Sequence, residues 1–168
     1  GWTFKEEIKV EGGWRRVVPS PAPVDFKNAA LVERMARAGS IVITGGGGGI
    51  PVYIDDKGML QSIEGVIDKD LASAMIGSRI KADELYILTD VPYIYKDCRK
   101  PTQEILEFLD YADTVKYLEA GMFGEGSMAP KIRACLSFVE KGGQKAVITE
   151  ATKLEDRRYG SKITLHYD

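Results

Sequence analysis

The feature that most constrains the fold is an alternation of short apolar runs with longer amphipathic segments. Three runs are predicted to be core strands: residues 40–44 (SIVIT), 85–89 (LYILT) and 145–149 (KAVIT). Amphipathic helices are predicted from Asp25 to about Ala38, from about Asp68 onward, and across residues 128–141. Such alternation is typical of parallel strands joined by crossover helices. We therefore predict an α/β fold, a three-layer αβα sandwich with a mainly parallel central sheet.

The remaining segments predict smaller elements. Residues 1–23 have no helical period and end in a proline-rich stretch that favours an extended crossing. Residues 51–54 and 59–63 predict a hairpin around a glycine-containing turn. The rest of the chain is predicted as follows: mostly loop over 91–128, with helices at 103–109 and 113–120, and a last strand at 162–166.

Composition excludes several classes of protein. The 168 residues suffice for one ordinary domain, and their net charge of −2 argues against general nucleic-acid binding, which needs a clustered basic surface. No apolar run is long enough to cross a bilayer and no signal peptide is visible, so we expect a cytoplasmic protein with no membrane partner. Two cysteines and one histidine cannot form a zinc site or a disulfide framework. Because the chain begins at Gly1, we interpret it as truncated, cleaved or trimmed, or as carrying a tag remnant.

A run of five glycines, residues 45–49, follows the predicted strand at 40–44. In an open parallel sheet, ligands bind outside the carboxyl ends of the strands, which is where this run lies. Glycines permit positive φ and let backbone N–H groups approach an anion without interference from a Cβ atom. The run matches neither the Walker A pattern nor a dinucleotide fingerprint. An anion cradle is therefore predicted, with a flexible tether as the alternative.

Two lysines are predicted in the first turns of separate helices. Lys69 lies between Asp68 and Asp70, whose carboxylates suit a helix N-terminus, and Lys131 lies in the turn that begins at the candidate N-cap Ser127. A lysine opposes the helix dipole at such a position, which a facing phosphate would explain. The free N–H groups in the first turn of the helix that carries Lys131 would add to the anion site. Together with the glycines, the lysines predict a clamp for a transferring phosphoryl group; solvated surface lysines are the alternative.

Weaker candidates follow the same strands and helices. Thr89 and Asp90, at the end of a predicted strand, are interpreted either as nucleotide contacts or as a turn cap. Tyr95 and Met128 are interpreted either as walls for an adenine or as packing residues. Structural roles are predicted for Cys135 and His166.

Five motifs, in order along nearly the whole chain, resemble those of carbamate kinases, which have the amino-acid-kinase fold. They are RRVVPSP (15–21), ITGGGGGIPV (43–52), VIDKDLAS (66–73), ILTDV (87–91) and GSMAPK (126–131). Two residues depart from the family pattern: Ala129 stands where the family usually has glycine, and Pro92 where it usually has an acidic residue. The first would reduce the room near the phosphates, and the second would reshape a loop.

This resemblance implies reversible phosphoryl transfer between ATP and carbamate, with Mg²⁺ carried by the nucleotide and no protein metal site. The implied ligands are ATP or ADP and carbamate or carbamoyl phosphate. Lys69 and Lys131 would neutralise the phosphoryl group in flight, and Asp70 would orient them. The remaining site residues would be Gly46, Gly47, Gly48 and Gly49 around the carbamate or phosphoryl end, and Thr89, Asp90, Tyr95 and Met128 near the nucleoside.

The resemblance also implies that part of the enzyme is missing upstream. Residues 1–20 would be the remnant of a protruding subdomain with its crossing segment, and residues 21–168 the nucleotide-binding domain. The expected partner is the missing N-terminal half or a second copy in a homodimer, and without another chain one edge or face of the sheet would be uncovered. The isolated chain would be inactive or impaired. Two alternatives stay open: another amino-acid kinase, or a nucleotide-binding module that has lost catalysis.

Overall fold

The computed structural model describes residues 1–6, 12–98, 100–124 and 127–166. The elements, in chain order, are β1 (Thr3–Glu6), β2 (Trp14–Val17), α1 (Ala29–Arg37), β3 (Val52–Ile54), β4 (Leu60–Ser62), α2 (Lys69–Arg79), β5 (Glu84–Thr89), β6 (Ile94–Lys96), β7 (Glu104–Leu106), β8 (Phe108–Asp110), α3 (Tyr111–Glu119), α4 (Met128–Glu140), β9 (Lys145–Glu150), a 3₁₀ turn (Ala151–Lys153) and β10 (Ser161–Thr164).

The central sheet has four strands in the order β5-β9-β10-β8. Strands β5 and β9 are parallel, with Glu84 opposite Lys145 and Thr89 opposite Glu150. Strands β8 and β10 are also parallel, whereas β10 runs antiparallel to β9. The predicted α/β class with a mainly parallel sheet is therefore confirmed. Separate two-stranded ladders are formed by β1-β2, β3-β4 and β6-β7, and the second of these is the predicted hairpin.

The core lies between one face of this sheet and the helices α2, α3 and α4. The side chains that α4 buries follow a helical period, which is why this segment folds as an amphipathic helix against the sheet. They include Ile132, Cys135, Leu136 and Val139. Gly77 of α2 lies against the ring of Phe138 in α4, where an added Cβ would be 3.1 Å from the ring, so the two helices approach closely.

The opposite face of the sheet is more polar. Lys145 forms an ion pair with Glu84 at 2.8 Å, and the hydroxyl of Tyr86 donates to Glu84 at 2.7 Å. Helices α2, α3 and α4 thus supply one of the two helical layers expected of a three-layer sandwich. Among the described residues, no helix is long and apolar enough to span a membrane.

The strand predicted at residues 40–44 is not formed. Ile41 and Ile43 are 97% and 96% exposed, and no strand of the described ranges pairs with this segment. A strand depends on a neighbour for its ladder hydrogen bonds and for burial of its side chains, and a β-branched run alone supplies neither. The sheet of the described chain therefore ends at β5.

The helix predicted at residues 103–109 is also wrong, because this segment forms β7 and β8. Its apolar spacing fits a helix, but Glu104–Leu106 pairs with β6 and Phe108–Asp110 pairs with β10. Tertiary pairing thus overrides the local pattern. The neighbouring helix prediction is confirmed by α3.

Two element boundaries differ from the prediction. Helix α1 begins at Ala29 instead of after Asp25, because the carboxylate of Asp25 forms an ion pair with Arg79 at 3.2 Å and does not cap the helix. The last strand ends at Thr164, which leaves His166 exposed beyond it.

Candidate active site

A shallow cleft forms where the N-termini of α2 and α4 meet the carboxyl end of β5. Helix α2 leads into β5 and α4 leads into β9, so both helices begin at the edge where these two parallel strands end. This is the edge at which open α/β sheets bind ligands. The cleft has a volume of about 340 Å³ and is lined by Asp68, Lys69, Asp70, Thr89, Asp90, Ser127, Pro130 and Lys131.

Asp70 joins the two lysines that the sequence singled out. Its Oδ1 accepts a hydrogen bond from Lys69 Nζ at 2.6 Å, and its Oδ2 accepts one from Lys131 Nζ at 2.7 Å. The side chains of Asp70 and Lys131 are 10% and 16% exposed, whereas that of Lys69 is 56% exposed. One buried carboxylate therefore holds a largely buried ammonium group and a second one that faces solvent.

The hydrogen bonds keep Asp70 in its charged form. Burial by itself would raise the pKa of this carboxyl, but the hydrogen bonds from Lys131 and Lys69 outweigh it and hold the pKa below its ordinary value of 3.8. The pKa of Lys69 is raised, chiefly by its hydrogen bond to Asp70. Because two ammonium groups share one carboxylate, the cluster keeps a net positive charge.

This arrangement can bind an anion. An ammonium group has three donors, so each lysine retains donors after bonding to Asp70. Fixed cations in a cleft cost no reorganisation when charge develops on a transferring phosphoryl group, which is how most phosphotransferases lower the barrier. Asp70 acts on these cations by position, since its two oxygens set where the ammonium groups lie.

Asp68 caps α2, as expected of an acidic residue at a helix N-terminus. Its Oδ1 accepts hydrogen bonds from the backbone N–H groups of Asp70 at 2.9 Å and Leu71 at 3.0 Å, which caps α2 and fixes its start at Lys69. The ammonium group of Lys69 donates its hydrogen bond to Asp70, whereas Asp68 acts on it through its charge. This cap orients the turn that carries both Lys69 and Asp70.

The glycine loop packs beside the start of α2. Gly48 N–H donates to Gly45 C=O at 3.1 Å, which closes a turn. A Cβ atom on Gly48 would lie 2.2 Å from the carbonyl oxygen of Ile67, the residue before the cap, so only glycine fits there. Positive φ angles occur at Gly45, Gly46, Gly48 and Gly49. The loop is therefore a shaped turn next to the cleft and not an extended tether, although its glycines do not line the cleft itself.

The N-terminus of α4 differs from the expected anion site. The N–H groups of Met128 and Ala129 both donate to Gly124 C=O, at 3.0 and 3.1 Å, and Pro130 has no N–H. Ser127 makes no side-chain cap bond, so its exposed hydroxyl lines the cleft. The expectation that free N–H groups of this turn bind the anion is therefore wrong for these residues. The motif residues Glu125 and Gly126 lie outside the described residues.

Ala129, the departure from the family pattern, is fully buried in the core cluster. Its methyl group packs beneath the helix and takes no space from the cleft, so the expected loss of room does not occur. Pro92 lies in the bend between β5 and β6.

The nucleoside candidates are divided between the cleft and its surroundings. Thr89 and Asp90 line the cleft, and the Thr89 hydroxyl donates to Asp90 Oδ1 at 3.1 Å. Tyr95 is half-buried in β6, and Met128 packs against the core cluster; neither lines the cleft. Ser127 and Pro130 also line the cleft but were not predicted as site residues, although both lie within four residues before Lys131 in the same motif.

Among the described residues, three acidic side chains line the cleft: Asp68, Asp70 and Asp90. Within the described ranges, no group of three or more His, Cys, Asp or Glu side chains is arranged to hold a metal ion. The Asp70 carboxylate is occupied by two ammonium groups. The cleft therefore offers cations for phosphate oxygens and, in Asp90, one acidic side chain at its rim.

Comparison with known proteins identifies the family of the chain. The sequence model of the amino acid kinase family matches residues 4–150. Carbamate kinase of Thermoplasma volcanium is 44% identical over 149 residues, which cover 89% of this chain and 48% of that protein. Carbamate kinase of Thermococcus kodakarensis is 43% identical over 164 residues, 98% of this chain and 51% of that protein. The chain thus spans about half the length of the curated relatives it matches.

Solved structures give the same result. Carbamate kinase from Giardia lamblia bound to AMP-PNP superposes with a TM-score of 0.87 at 32% identity, covering 98% of this chain and 52% of that one. Another structure of the Giardia enzyme superposes with a TM-score of 0.84 over 90% of this chain. Taken with the family match over residues 4–150, these likenesses show that the chain belongs to the amino acid kinase family and is similar to the carbamate kinases within it.

Proposed function

We propose that this chain is the ATP- and ADP-binding portion of a carbamate kinase, which transfers a phosphoryl group reversibly between ATP and carbamate. The observation that carries the proposal is the Asp70 carboxylate, which holds Lys69 and Lys131 at 2.6 and 2.7 Å in a cleft at the carboxyl edge of the sheet. The similar carbamate kinase from Giardia lamblia has AMP-PNP bound, and this likeness supports nucleotide binding by the chain.

The residues divide the work by their burial. Lys131 is largely buried and firmly placed, so it is suited to the phosphoryl group at the moment of transfer, when the bond from the γ-phosphorus to the ADP oxygen breaks and a bond to a carbamate oxygen forms. The Lys69 side chain is 56% exposed and can bind the same phosphoryl group from the solvent side. The turn of Gly46, Gly47, Gly48 and Gly49 lies beside the cleft and would hold the phosphoryl or carbamate end through backbone N–H groups other than that of Gly48, which closes the turn.

Mg²⁺ is proposed to enter with the nucleotide. Mg²⁺ keeps several waters and usually binds through phosphates with one or two carboxylates, which fits a cleft lined by the exposed carboxylate of Asp90. When bound, it would neutralise charge on the β- and γ-phosphates. Thr89 and Asp90, which line the cleft, are proposed to contact this complex, and Tyr95 and Met128 are proposed to lie on its nucleoside side.

The expected partner is the N-terminal half of the amino acid kinase domain. The segment 40–44 exposes Ile41 and Ile43 almost completely, and Val24 and Ile50 on either side are 87% and 85% exposed. Large apolar side chains exposed to this degree are typical of a surface that a partner covers. Because the chain spans about half of its carbamate kinase relatives, we propose that the other half covers this surface and pairs with residues 40–44.

Reconstitution tests the proposed function. Purified chain is supplied with Mg-ADP and carbamoyl phosphate, alone and with the N-terminal half of a carbamate kinase as a separate polypeptide, and ATP formation is measured with luciferase. We expect little or no ATP from the chain alone and ATP from the mixture. The matched control is Lys131→Gln, which keeps a donor to Asp70 but removes the charge and is expected to abolish ATP formation.

Three outcomes would redirect the proposal. A mixture that forms a complex on size-exclusion chromatography but makes no ATP would favour a nucleotide-binding module that has lost catalysis, the alternative suggested by the chain's length. A stable dimer of the chain alone would show that a second copy covers the surface around residues 40–44. Transfer to another acid in a substrate panel, with none to carbamate, would favour a different amino acid kinase.

A further inference from the structure

The ribbon formed by β6 and β7 stands on the same edge of the sheet as the cleft. Strand β5 ends at Thr89 and the chain reaches β6 five residues later, and β7 leads directly into β8 of the central sheet. In the ribbon, Ile94 pairs with Leu106 and Tyr95 pairs with Ile105. The ribbon therefore rises beside Asp90 and returns into the sheet.

The two faces of the ribbon differ. Ile94 is fully buried in the core and Leu106 packs against the same cluster. Because side chains alternate along a strand, Tyr95 and Ile105 lie on the other face, where Ile105 is 47% exposed. The ribbon thus presents an apolar, aromatic face away from the core, next to the edge at which the nucleotide is proposed to bind.

One hydroxyl attaches both strands of this ribbon to the central sheet. Ser161, the first residue of β10, is fully buried; its Oγ accepts from the Ile94 N–H at 2.7 Å and donates to the Leu106 C=O at 2.6 Å. Other contacts involve one strand of the ribbon or the residues that lead into it. For example, the ring centroids of Tyr93 and Tyr159 lie 5.0 Å apart. Among the hydrogen bonds of the described residues, the two made by Ser161 Oγ connect β10 to both β6 and β7.

The residue before Ser161 explains how the hydroxyl reaches this position. Gly160 has a φ of +90°, and a Cβ atom there would lie 2.7 Å from Thr149 Cβ and 2.8 Å from Ile148 C=O. Only glycine allows the chain to turn this tightly onto β9 before β10 begins. The Gly160 turn therefore places the Ser161 side chain under the base of the ribbon.

We infer that Ser161 is a positioning residue for the nucleotide: its hydroxyl fixes the β6–β7 ribbon, and with it Tyr95, at the nucleoside side of the cleft. This inference rests on the proposed nucleotide-binding function. Without the hydroxyl, the Ile94 N–H and the Leu106 C=O lose their buried partner, which favours opening of the ribbon. Nucleotide affinity then falls because the base must order a mobile ribbon on binding.

The test combines calorimetry with hydrogen exchange on the purified chain. Mg-ADP is titrated into the unsubstituted chain, Ser161→Ala and Ser161→Thr, and amide exchange is measured over residues 94–106. We expect Ser161→Ala to weaken ADP binding about tenfold and to speed exchange in the ribbon, and Ser161→Thr, which keeps the hydroxyl, to restore both. The matched control is Thr114→Val, which removes another fully buried hydroxyl, one that donates to the Asp110 C=O.

The outcomes separate positioning from general stability. Thr114→Val is expected to lower the melting temperature and leave ADP affinity unchanged; equal losses of affinity in both variants would overturn the inference. Ser161→Ala that binds ADP as well as the unsubstituted chain would also overturn it. If Ser161→Ala fails to fold, the unsubstituted chain still decides, because ADP must slow exchange over residues 94–106. An unsubstituted chain that binds no ADP would instead contradict the proposed function.

Discussion

Replacing Asp70 with asparagine removes the charge that holds the two lysines and keeps the shape of the side chain. The carboxylate accepts hydrogen bonds from Lys69 and Lys131 through separate oxygens. An amide offers one acceptor oxygen, and its NH₂ group is a donor that faces an ammonium group with no acceptor. One of the two hydrogen bonds is therefore lost, and the other loses its charge assistance.

The magnitude follows from the burial of each partner. A hydrogen bond to a charged group contributes about 1.5–3 kcal/mol, and removing one partner of a fully buried ion pair costs about 3–5 kcal/mol. The Lys131 side chain is 16% exposed and counts almost fully, whereas that of Lys69 is 56% exposed and is largely screened by solvent. We expect Asp70→Asn to lower the free energy of unfolding by about 2–3 kcal/mol.

Urea denaturation followed by circular dichroism measures this loss, and its pH dependence identifies the cause. The folded pKa of Asp70 lies below 3.8, so its contribution to stability is present above pH 3.8 and is lost as the pH falls through the folded pKa. The difference between the unsubstituted chain and Asp70→Asn should therefore be constant near neutral pH and shrink in acid.

The control is Asp113→Asn, whose carboxylate forms an ion pair with Lys116 at 2.8 Å on the surface, with the two side chains 51% and 71% exposed. We expect this substitution to change the free energy of unfolding by less than about 0.5 kcal/mol. If Asp70→Asn were as stable as Asp113→Asn, the argument that Asp70 is the buried anchor of two lysines would be refuted.

Three other predictions follow from burial and backbone geometry. Gly48→Ala should destabilise the chain by about 2 kcal/mol or more in urea denaturation, because its Cβ would clash with a carbonyl oxygen at positive φ. The control Gly47→Ala, with open space around it, should change the free energy of unfolding by less than about 1 kcal/mol. Equal losses in the two variants would contradict this. Exposed Cys98 should react with a thiol reagent in the native chain, and Cys135 only after unfolding, since burial raises the pKa of its thiol; fast labelling of both would be inconsistent with the core. Ile43→Lys should leave the melting temperature of the chain within about 3 °C and prevent binding of the N-terminal half, because its side chain is 96% exposed; a large loss of stability would show that it is already packed.

The hydrophobic pattern correctly predicted the strands and helices that pack against one another within this chain. The apolar strands at residues 85–89 and 145–149 and the helix over residues 128–141 were predicted because each one packs against another of the same set. Residues 40–44 are similarly apolar and β-branched, yet no described strand pairs with them. The composition of a segment carries no information about whether a neighbouring strand is present. The ribbon and β8 were missed because pairing with β6 and β10, and not local spacing, decides the conformation of residues 103–109.

The candidate site shows the same division. A lysine in the first turn of a helix is conspicuous in sequence because it opposes the dipole, so Lys69 and Lys131 were predicted from local reasoning. That one carboxylate of α2 would hold both ammonium groups depends on how closely α2 and α4 pack. The resemblance to carbamate kinases implied that Asp70 orients both lysines, whereas local reasoning offers only an indirect sign in Gly77, which admits the Phe138 ring. Ser161 has no local signature, since its partners lie 67 and 55 residues away along the chain.

The measurement that tests the central claim most directly is calorimetric titration of Mg-AMP-PNP into the chain and into Lys131→Gln, with folding checked by circular dichroism. If the Asp70 cluster is the phosphoryl-binding wall of a nucleotide site, the chain binds one AMP-PNP and Lys131→Gln weakens binding at least about tenfold, which corresponds to about 1.4 kcal/mol. The loss should be smaller with ADP, which lacks the γ-phosphate. No binding by the unsubstituted chain, or equal affinity in Lys131→Gln, would contradict the account.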